Sequence, residues 1–102
     1  MNQLSLFTSK IEKPSLFTPV DTFVSYFAEC IAEGHADATL IPDQPSGDPE
    51  DAIAATRAAL EELGWVWNTK EKQLERGGWY VWFRSQGRLS SPIAQWNKLG
   101  EM

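Results

Sequence analysis

GWVWNTKEKQLERGGWYVWFRSQGR, residues 64–88, holds four of the five tryptophans of this 102-residue chain. Two short runs within it, 65–67 and 79–83, consist of the aromatic and β-branched residues that favour strands. The charged connector between the runs ends in Gly77-Gly78, and glycine readily adopts the positive φ of a tight turn. The stretch therefore predicts a β-hairpin.

The second strand of this hairpin divides its side chains between two faces, because strand residues alternate. Trp79, Val81 and Phe83 should pack on helices, whereas Tyr80 and Trp82 should face solvent or a partner. Bases stack on exposed rings and phosphates pair with nearby cations, so nucleic acid is one candidate partner. This possible nucleic-acid-binding surface comprises Tyr80, Trp82, Lys70, Lys72, Arg76, Arg84 and Arg88. The alternative is that the rings belong to the core, since a domain of this size needs aromatic bulk.

Two helices are predicted ahead of the hairpin. The first spans residues 19–33, with Thr18 as its N-cap and Gly34 as its stop. Its apolar stripe repeats every four residues, at Phe23, Phe27 and Ile31. This stripe predicts the face that packs on the rest of the domain.

The second predicted helix begins at Pro49, with Asp48 as its N-cap, and closes at Gly64. Its expected buried face consists of Ile53, Leu60 and Leu63. A short strand, 38–41, is predicted between the two helices, and a short last helix after Pro92. The apolar side of that last helix would be formed by Ile93, Trp96 and Leu99.

The order of these elements is tail, α, β, α, β, β, α. It predicts an α+β fold: a small two-layer domain in which two or three helices pack on a short sheet containing the Trp-rich hairpin. Residues 18–102 should form this single domain. Residues 1–17, called the tail below, should be flexible, because their Ser, Thr, Lys and Pro residues interrupt any helix and their apolar patches are short.

Composition restricts where the protein works. No segment approaches the ~20 consecutive apolar residues of a membrane span, and the chain does not begin with a secretory signal pattern. Cys30 is the only cysteine, which excludes an intrachain disulfide and a multi-cysteine zinc site. These features predict a cytoplasmic protein with no membrane partner.

The side chains suited to catalysis are few. His35 is the only histidine, and it lies across a predicted helix end from Cys30, which is poor geometry for a thiolate–imidazole pair. Glu29 and Glu33, with His35 and Asp37 nearby, have metal-ligand chemistry, but a solvated acidic helix end has the same pattern. We therefore predict a non-enzymatic protein with no catalytic residues, no metal and no cofactor.

Charge is divided unevenly along the chain, whose net charge is -5. Residues 1–19 carry +1, residues 20–63 carry -9, and residues 64–102 carry +3. An ordinary solvated surface explains this division, but so do two different binding faces. One alternative function is therefore an acidic inhibitor of the anti-restriction or anti-CRISPR type, directed at a nucleic-acid-binding site.

The pentapeptide QLSLF is formed by Gln3, Leu4, Ser5, Leu6 and Phe7. It resembles, at every position, the consensus by which bacterial replication and repair proteins dock on the DNA polymerase III sliding clamp. The resemblance implies an extended peptide with Gln3 as its polar anchor and Leu4 as a side contact. It also implies that Leu6 and Phe7 fill an apolar pocket of the clamp.

A second copy of Ser-Leu-Phe, residues 15–17, lacks the Gln-Leu start. Ten residues reach at most ~35 Å, which is short for two pockets on opposite sides of a ring, so this copy should not be a second hook. Phe17 should instead act as a hydrophobic staple for the first helix. The resulting prediction is a small bacterial, plasmid or phage protein that uses the tail as recruiter or competitor in replication or repair.

Overall fold

A computed structural model of the chain describes residues 13–15, 18–85 and 92–100. Most of the tail, including the pentapeptide, lies outside these residues. The described helices are α1 (Val20–Ala32) and α2 (Pro49–Glu62). The described strands are β1 (Asp37–Leu40), β2 (Val66–Asn68), β3 (Gln73–Arg76), β4 (Trp79–Arg84) and β5 (Ile93–Lys98).

The five strands form one antiparallel sheet in the order β1-β5-β4-β3-β2. Both helices contribute buried side chains to a core that they share with alternate residues of the strands. The helices therefore form one layer and the sheet the other, and the predicted α+β fold is confirmed. The predicted strand 38–41 is confirmed as β1, shifted by one residue.

Aromatic rings fill the space between the two layers. Trp96 of β5 meets Phe27 of α1 edge-on, with ring centroids 5.0 Å apart and planes at 88°. Phe23 meets the same tryptophan at 88°, and Phe27 also packs on Trp65 at 5.1 Å. Such edge-to-face pairs add about 0.5–1.5 kcal/mol each to the burial of the rings.

The hairpin prediction was partly wrong, because a further strand lies between its two halves. Residues 66–68 pair with β3, and β3 pairs with β4, so the two tryptophan-rich runs are not direct neighbours. Leu74, within the charged connector, is fully buried. One buried apolar side chain is sufficient for this short strand, because the helices cover only one of its faces. The predicted turn at Gly77-Gly78 is confirmed, with φ of +58° and +86°, and it joins β3 to β4.

The last predicted helix was wrong, because residues 93–98 form β5. The spacing of Ile93 and Trp96 fits a helix, but the buried residues on the helix side are Ala94 and Trp96, which have the period of a strand. Strands β1 and β4 both hydrogen-bond to this segment, one on each side. Leu99, expected on the buried side of a helix, is 44% exposed.

The two predicted helices are confirmed, with differences at the ends. Pro19, not Thr18, is the N-cap of α1, and it has no capping side chain. The Thr18 hydroxyl instead accepts a hydrogen bond of 2.7 Å from the Ser15 backbone N–H. In the predicted stripe of α1, Phe23 and Phe27 are buried, and Ile31 is half-buried. Neither described helix has the length and apolar character needed to cross a membrane.

The predicted cap of α2 is also confirmed. Asp48 Oδ1 accepts a hydrogen bond of 2.9 Å from the Glu50 backbone N–H, which satisfies one of the free donors of the first turn. The expected buried face was partly wrong, since Leu63 is 49% exposed and Ile53 half-buried. The buried residues of α2 are Ala52, Thr56 and Leu60.

Candidate functional site

One face of the sheet is covered by neither of the described helices. We call it the open face, and the strand register places these residues on it: Ala38, Leu40, Val66, Asn68, Gln73, Glu75, Tyr80, Trp82, Arg84, Ile93, Gln95 and Asn97. Its large exposed apolar side chains are Val66 at 66%, Trp82 at 39% and Leu40 at 36% exposure. The open face is therefore a candidate surface for a binding partner.

Strand β4 presents Tyr80, Trp82 and Arg84 in one line on the open face. The predicted division of its rings is confirmed, because Trp79 and Val81 are buried on the helix side. Neighbouring strands hydrogen-bond to β4 on both sides, so its backbone is fixed. Side chains two residues apart in a strand are about 7 Å apart, so the three groups form a short linear array.

Arg84 brings a positive charge to the exposed ring of Trp82. Its guanidinium carbon lies 5.4 Å from the ring centroid, within the range of a cation–π contact. Across the sheet, Arg84 is opposite Ile93, which in turn is opposite Leu40 of β1. This end of the open face thus combines a cation, an exposed ring and apolar neighbours.

The β2–β3 side of the open face has a different character. Glu75 Oε2 accepts hydrogen bonds from the amides of Asn68, at 3.0 Å, and of Gln73, at 2.8 Å. This carboxylate lies opposite Tyr80 in the register. An anionic ligand would therefore be repelled on this side and favoured toward β4 and β5.

Lys70 and Lys72 lie in the turn between β2 and β3, where both are exposed. The turn is closed by a 2.7 Å hydrogen bond from the Lys72 backbone N–H to the Asn68 carbonyl oxygen. Because β3 and β4 are antiparallel, the residues that precede β3 lie at the end of the sheet where β4 ends, which is the Arg84 end. The two lysines thus flank the cationic end of the open face.

Arg76, also predicted to join this surface, lies on the opposite side of the sheet. The register places it opposite Trp79, on the helix side. Its side chain approaches Gly64, where an added Cβ would lie only 3.1 Å from the Arg76 Nε. Arg88, the remaining predicted cation, lies outside the described residues. The structure therefore separates Arg76 from Tyr80 and Trp82.

Two further cations cover tryptophan rings on the helix side, and the sequence interpretation missed both. The Arg57 guanidinium carbon lies 4.0 Å from the Trp67 ring centroid, and the Lys98 ammonium lies 5.9 Å from that of Trp79. Arg57 also pairs with Glu61 at 2.9 Å, one helical turn away. Only the Arg57–Glu61 pair could be predicted from the sequence, because its residues are four apart on one helix. The two ring contacts depend on how α2 and β5 pack in the folded domain.

Asp37 connects the tail to the domain. The Tyr26 hydroxyl donates a hydrogen bond to the Asp37 carboxylate, and Lys13 Nζ lies 3.2 Å from the same group. The Thr39 hydroxyl donates a 3.3 Å hydrogen bond to the carbonyl oxygen of the buried Pro14. Burial and the hydrogen bond to Asp37 raise the pKa of Tyr26 well above its ordinary value. Residues 13 and 14 are thus attached to β1.

Cys30 and His35, the residues considered for catalysis, are joined by a backbone hydrogen bond. Burial raises the pKa of the Cys30 thiol, which lowers its thiolate fraction at neutral pH. His35 meets Cys30 through the backbone, its N–H donating to the Cys30 carbonyl oxygen at 2.8 Å. Among the described residues, no group of three or more His, Cys, Asp or Glu side chains is arranged to hold a metal ion.

Comparison of the chain with protein-family models, with curated proteins and with solved structures finds no match. Residues 3–7, predicted to dock on the sliding clamp, lie outside the described residues, so their role stays a prediction. The function is therefore inferred from this chain's own residues.

Proposed function

We propose that the chain docks on the sliding clamp of bacterial DNA polymerase III through residues 3–7. The observation that carries this proposal is the pentapeptide QLSLF, which resembles the clamp-binding consensus at all five positions. A docked chain either brings its α+β domain to replicating DNA as a recruiter or excludes other clamp-binding proteins as a competitor. This role requires a cytoplasmic protein of a bacterium, plasmid or phage.

The attachment of residues 13 and 14 to β1 limits how far the domain can lie from a clamp-bound pentapeptide. Pro14 is buried and Lys13 pairs with Asp37, so residues 13 and 14 lie at the β1 edge of the sheet. Six residue steps separate Phe7 from Lys13, which span at most about 20 Å. A clamp that holds the pentapeptide would therefore hold the domain within that distance of its pocket.

The core of the described residues is formed by the two helices and the sheet. Its buried side chains extend from Phe23 to Trp96 along the chain. Under this proposal Leu6 and Phe7 serve a partner and not the core, so their replacement should leave the fold intact.

The expected affinity of such a peptide is moderate. Burial of Leu6 and Phe7 favours the complex, and the loss of conformational entropy in the extended peptide opposes it. Because a short peptide has only these two apolar anchors, we expect a reversible complex no tighter than micromolar. Such an affinity suits recruitment or competition and does not suit permanent assembly through the tail alone.

We predict that Leu6→Ala with Phe7→Ala abolishes clamp binding and leaves the fold intact. Isothermal titration of a purified bacterial clamp should give micromolar binding for the unmodified chain and none for this variant. The second Ser-Leu-Phe copy offers a matched control, because Leu16→Ala with Phe17→Ala removes the same two side chain types ten residues away. The control should retain micromolar binding.

Retained binding in the Leu6→Ala, Phe7→Ala variant would overturn the proposal, as would equal losses in both double variants. Circular dichroism of each variant shows whether a loss reflects unfolding. A second titration distinguishes the two roles: a competitor prevents other clamp-binding peptides from docking, whereas a recruiter also needs a function of its own domain.

A further inference from the structure

We propose that the open face binds single-stranded nucleic acid. Bases would stack on Trp82 and Tyr80, and Arg84 would pair with the phosphates. This proposal is independent of clamp docking, since it rests on described residues of the sheet and not on the tail.

The first argument concerns where the tryptophans lie. Trp65, Trp79 and Trp96 are buried in the core, and Trp67 is half-buried beneath the Arg57 guanidinium. Trp82 is the exception, because 39% of it is exposed on the face that points away from the core. The core interpretation of the rings therefore holds for the helix side but does not account for Trp82.

The second argument concerns charge. Arg84 lies beside Trp82, and Lys70 and Lys72 flank the same end of the sheet. The carboxylate of Glu75 lies on the β2–β3 side of the open face, where two side-chain amides bind it. A polyanion would therefore lie across the Arg84 end of the open face, with its bases over the rings of β4 and its phosphates near Arg84 and the two lysines.

The third argument separates single strands from duplexes. Bases in a duplex are already stacked on one another, whereas the bases of a single strand are free to stack on protein rings. Tyr80 and Trp82 lie side by side on one face of β4, where unpaired bases can reach their rings. The arrangement thus favours a single strand, with little dependence on base sequence.

The proposed site also lies near the attachment of the tail. Pro14 contacts Thr39 of β1, and the neighbouring Leu40 lies in the same cross-strand row as Arg84. Two strand spacings, about 10 Å, separate β1 from β4. A chain attached through its tail would therefore present the open face close to its point of attachment.

The first test is binding of a fluorescently labelled oligothymidylate at low salt, followed by fluorescence anisotropy. Trp82→Ala should weaken binding by about 5- to 150-fold, the range for loss of one stacked base. Leu63→Ala is the matched control, because it removes an exposed apolar side chain from the end of α2. It should leave the affinity unchanged, and near-ultraviolet circular dichroism verifies that both variants are folded.

The second test compares two arginines on opposite sides of the sheet. Arg84→Ala and Arg76→Ala each remove one exposed positive charge, but only Arg84 lies on the open face. The slope of log affinity against log salt should fall by about 0.7 in Arg84→Ala, the value for one lost phosphate contact on a single strand. The slope should be unchanged in Arg76→Ala.

Several outcomes would overturn the proposal: no binding of the unmodified chain at low salt, equal effects of the two arginine variants, or equal affinity for a duplex of the same length. Sedimentation of the chain and of its Trp82→Ala variant could give one further outcome of this kind. If Trp82→Ala converts a dimer into a monomer, the open face is an interface between two copies of the chain and not a nucleic-acid site. An oligoribonucleotide titrated in parallel distinguishes RNA from DNA as the preferred strand.

Discussion

At the scale of single residues, Asp37 is where the described part of the tail, α1 and β1 meet. Burial raises the pKa of its carboxyl group. Three contacts together lower that pKa by more than burial raises it: the hydrogen bond from the Tyr26 hydroxyl, the hydrogen bond from the Ala38 backbone N–H and the Lys13 ammonium. The net result is a pKa below the ordinary value of 3.8. The carboxylate is therefore the form that the folded protein favours.

This coupling predicts a loss of stability in acid. Between the lowered pKa and 3.8 the unfolded chain binds more protons than the folded chain, so stability rises with pH in that window. The contribution of the Asp37 carboxylate is complete above the window and is lost as the pH falls through the lowered pKa. Urea unfolding should thus show Asp37→Asn less stable than the unmodified chain at pH 7, with the difference shrinking toward pH 3.

Asp43→Asn is the control for this experiment, because Asp43 is exposed in the loop after β1. It should change stability little at pH 7, where Asp37→Asn shows its full loss. A difference between Asp37→Asn and the unmodified chain that stays constant from pH 7 to pH 3 would contradict the assignment.

At the scale of elements, the start of α2 has a specific stabilising contact. Asp48 accepts the hydrogen bond from the Glu50 N–H, whereas Asp51, also in the first turn, has no such role. Replacing an N-cap aspartate by alanine costs about 1 kcal/mol. We therefore predict that Asp48→Ala lowers the free energy of unfolding by about 1 kcal/mol.

The matched control is Asp51→Ala, which removes the same charge from the same helix end. It loses only the interaction with the helix dipole, about 0.3–1 kcal/mol, and gains helix propensity. Thermal unfolding should rank Asp48→Ala below Asp51→Ala. The reverse order would show that charge, and not the cap, stabilises this end.

The helices and strands also show which parts of the fold are determined by residues close together in the sequence. Helices α1 and α2 lie within a residue or two of their predicted bounds, since caps, proline and glycine stops act over a few neighbours. Strand β3 has only Leu74 as an apolar anchor, so its own sequence hardly distinguishes it from a charged loop. In β5, Ile93 and Trp96 fit a helical spacing, and the pairing with β1 and β4 decides the outcome.

The same limit applies to the candidate site. Alternation along one strand was enough to place Tyr80 and Trp82 together, because it needs no knowledge of other elements. The side taken by Arg76 depends on the two-residue turn at Gly77-Gly78, which places it opposite Trp79. A shift of one residue in that register would have moved Arg76 to the open face.

At the scale of the whole molecule, the described part of the tail contributes to the fold. Lys13 pairs with Asp37, and Pro14 is buried against β1. A chain that starts at residue 16 should therefore be less stable than one that starts at residue 13, by about 1–2 kcal/mol for the lost apolar burial. Urea unfolding of the two truncated chains measures the difference directly.

Both truncated chains lack the pentapeptide, so this comparison is independent of clamp docking. Equal stabilities would show that residues 13–15 add nothing to the domain. In the full-length chain, Lys13→Ala with Pro14→Ala should reproduce most of the difference.

The position of β5 in the sheet has a consequence for synthesis on the ribosome. This strand follows the other four in sequence but lies inside the sheet, so β1 has no sheet neighbour until β5 has been made. At about 5–20 residues per second, translation of the segment from Leu40 to Ile93 takes roughly 3–10 s. During that interval the nascent chain holds an unpaired β1 edge, and the aromatic stripe of α1 lacks Trp96. Chaperones that bind exposed apolar segments have those seconds in which to act.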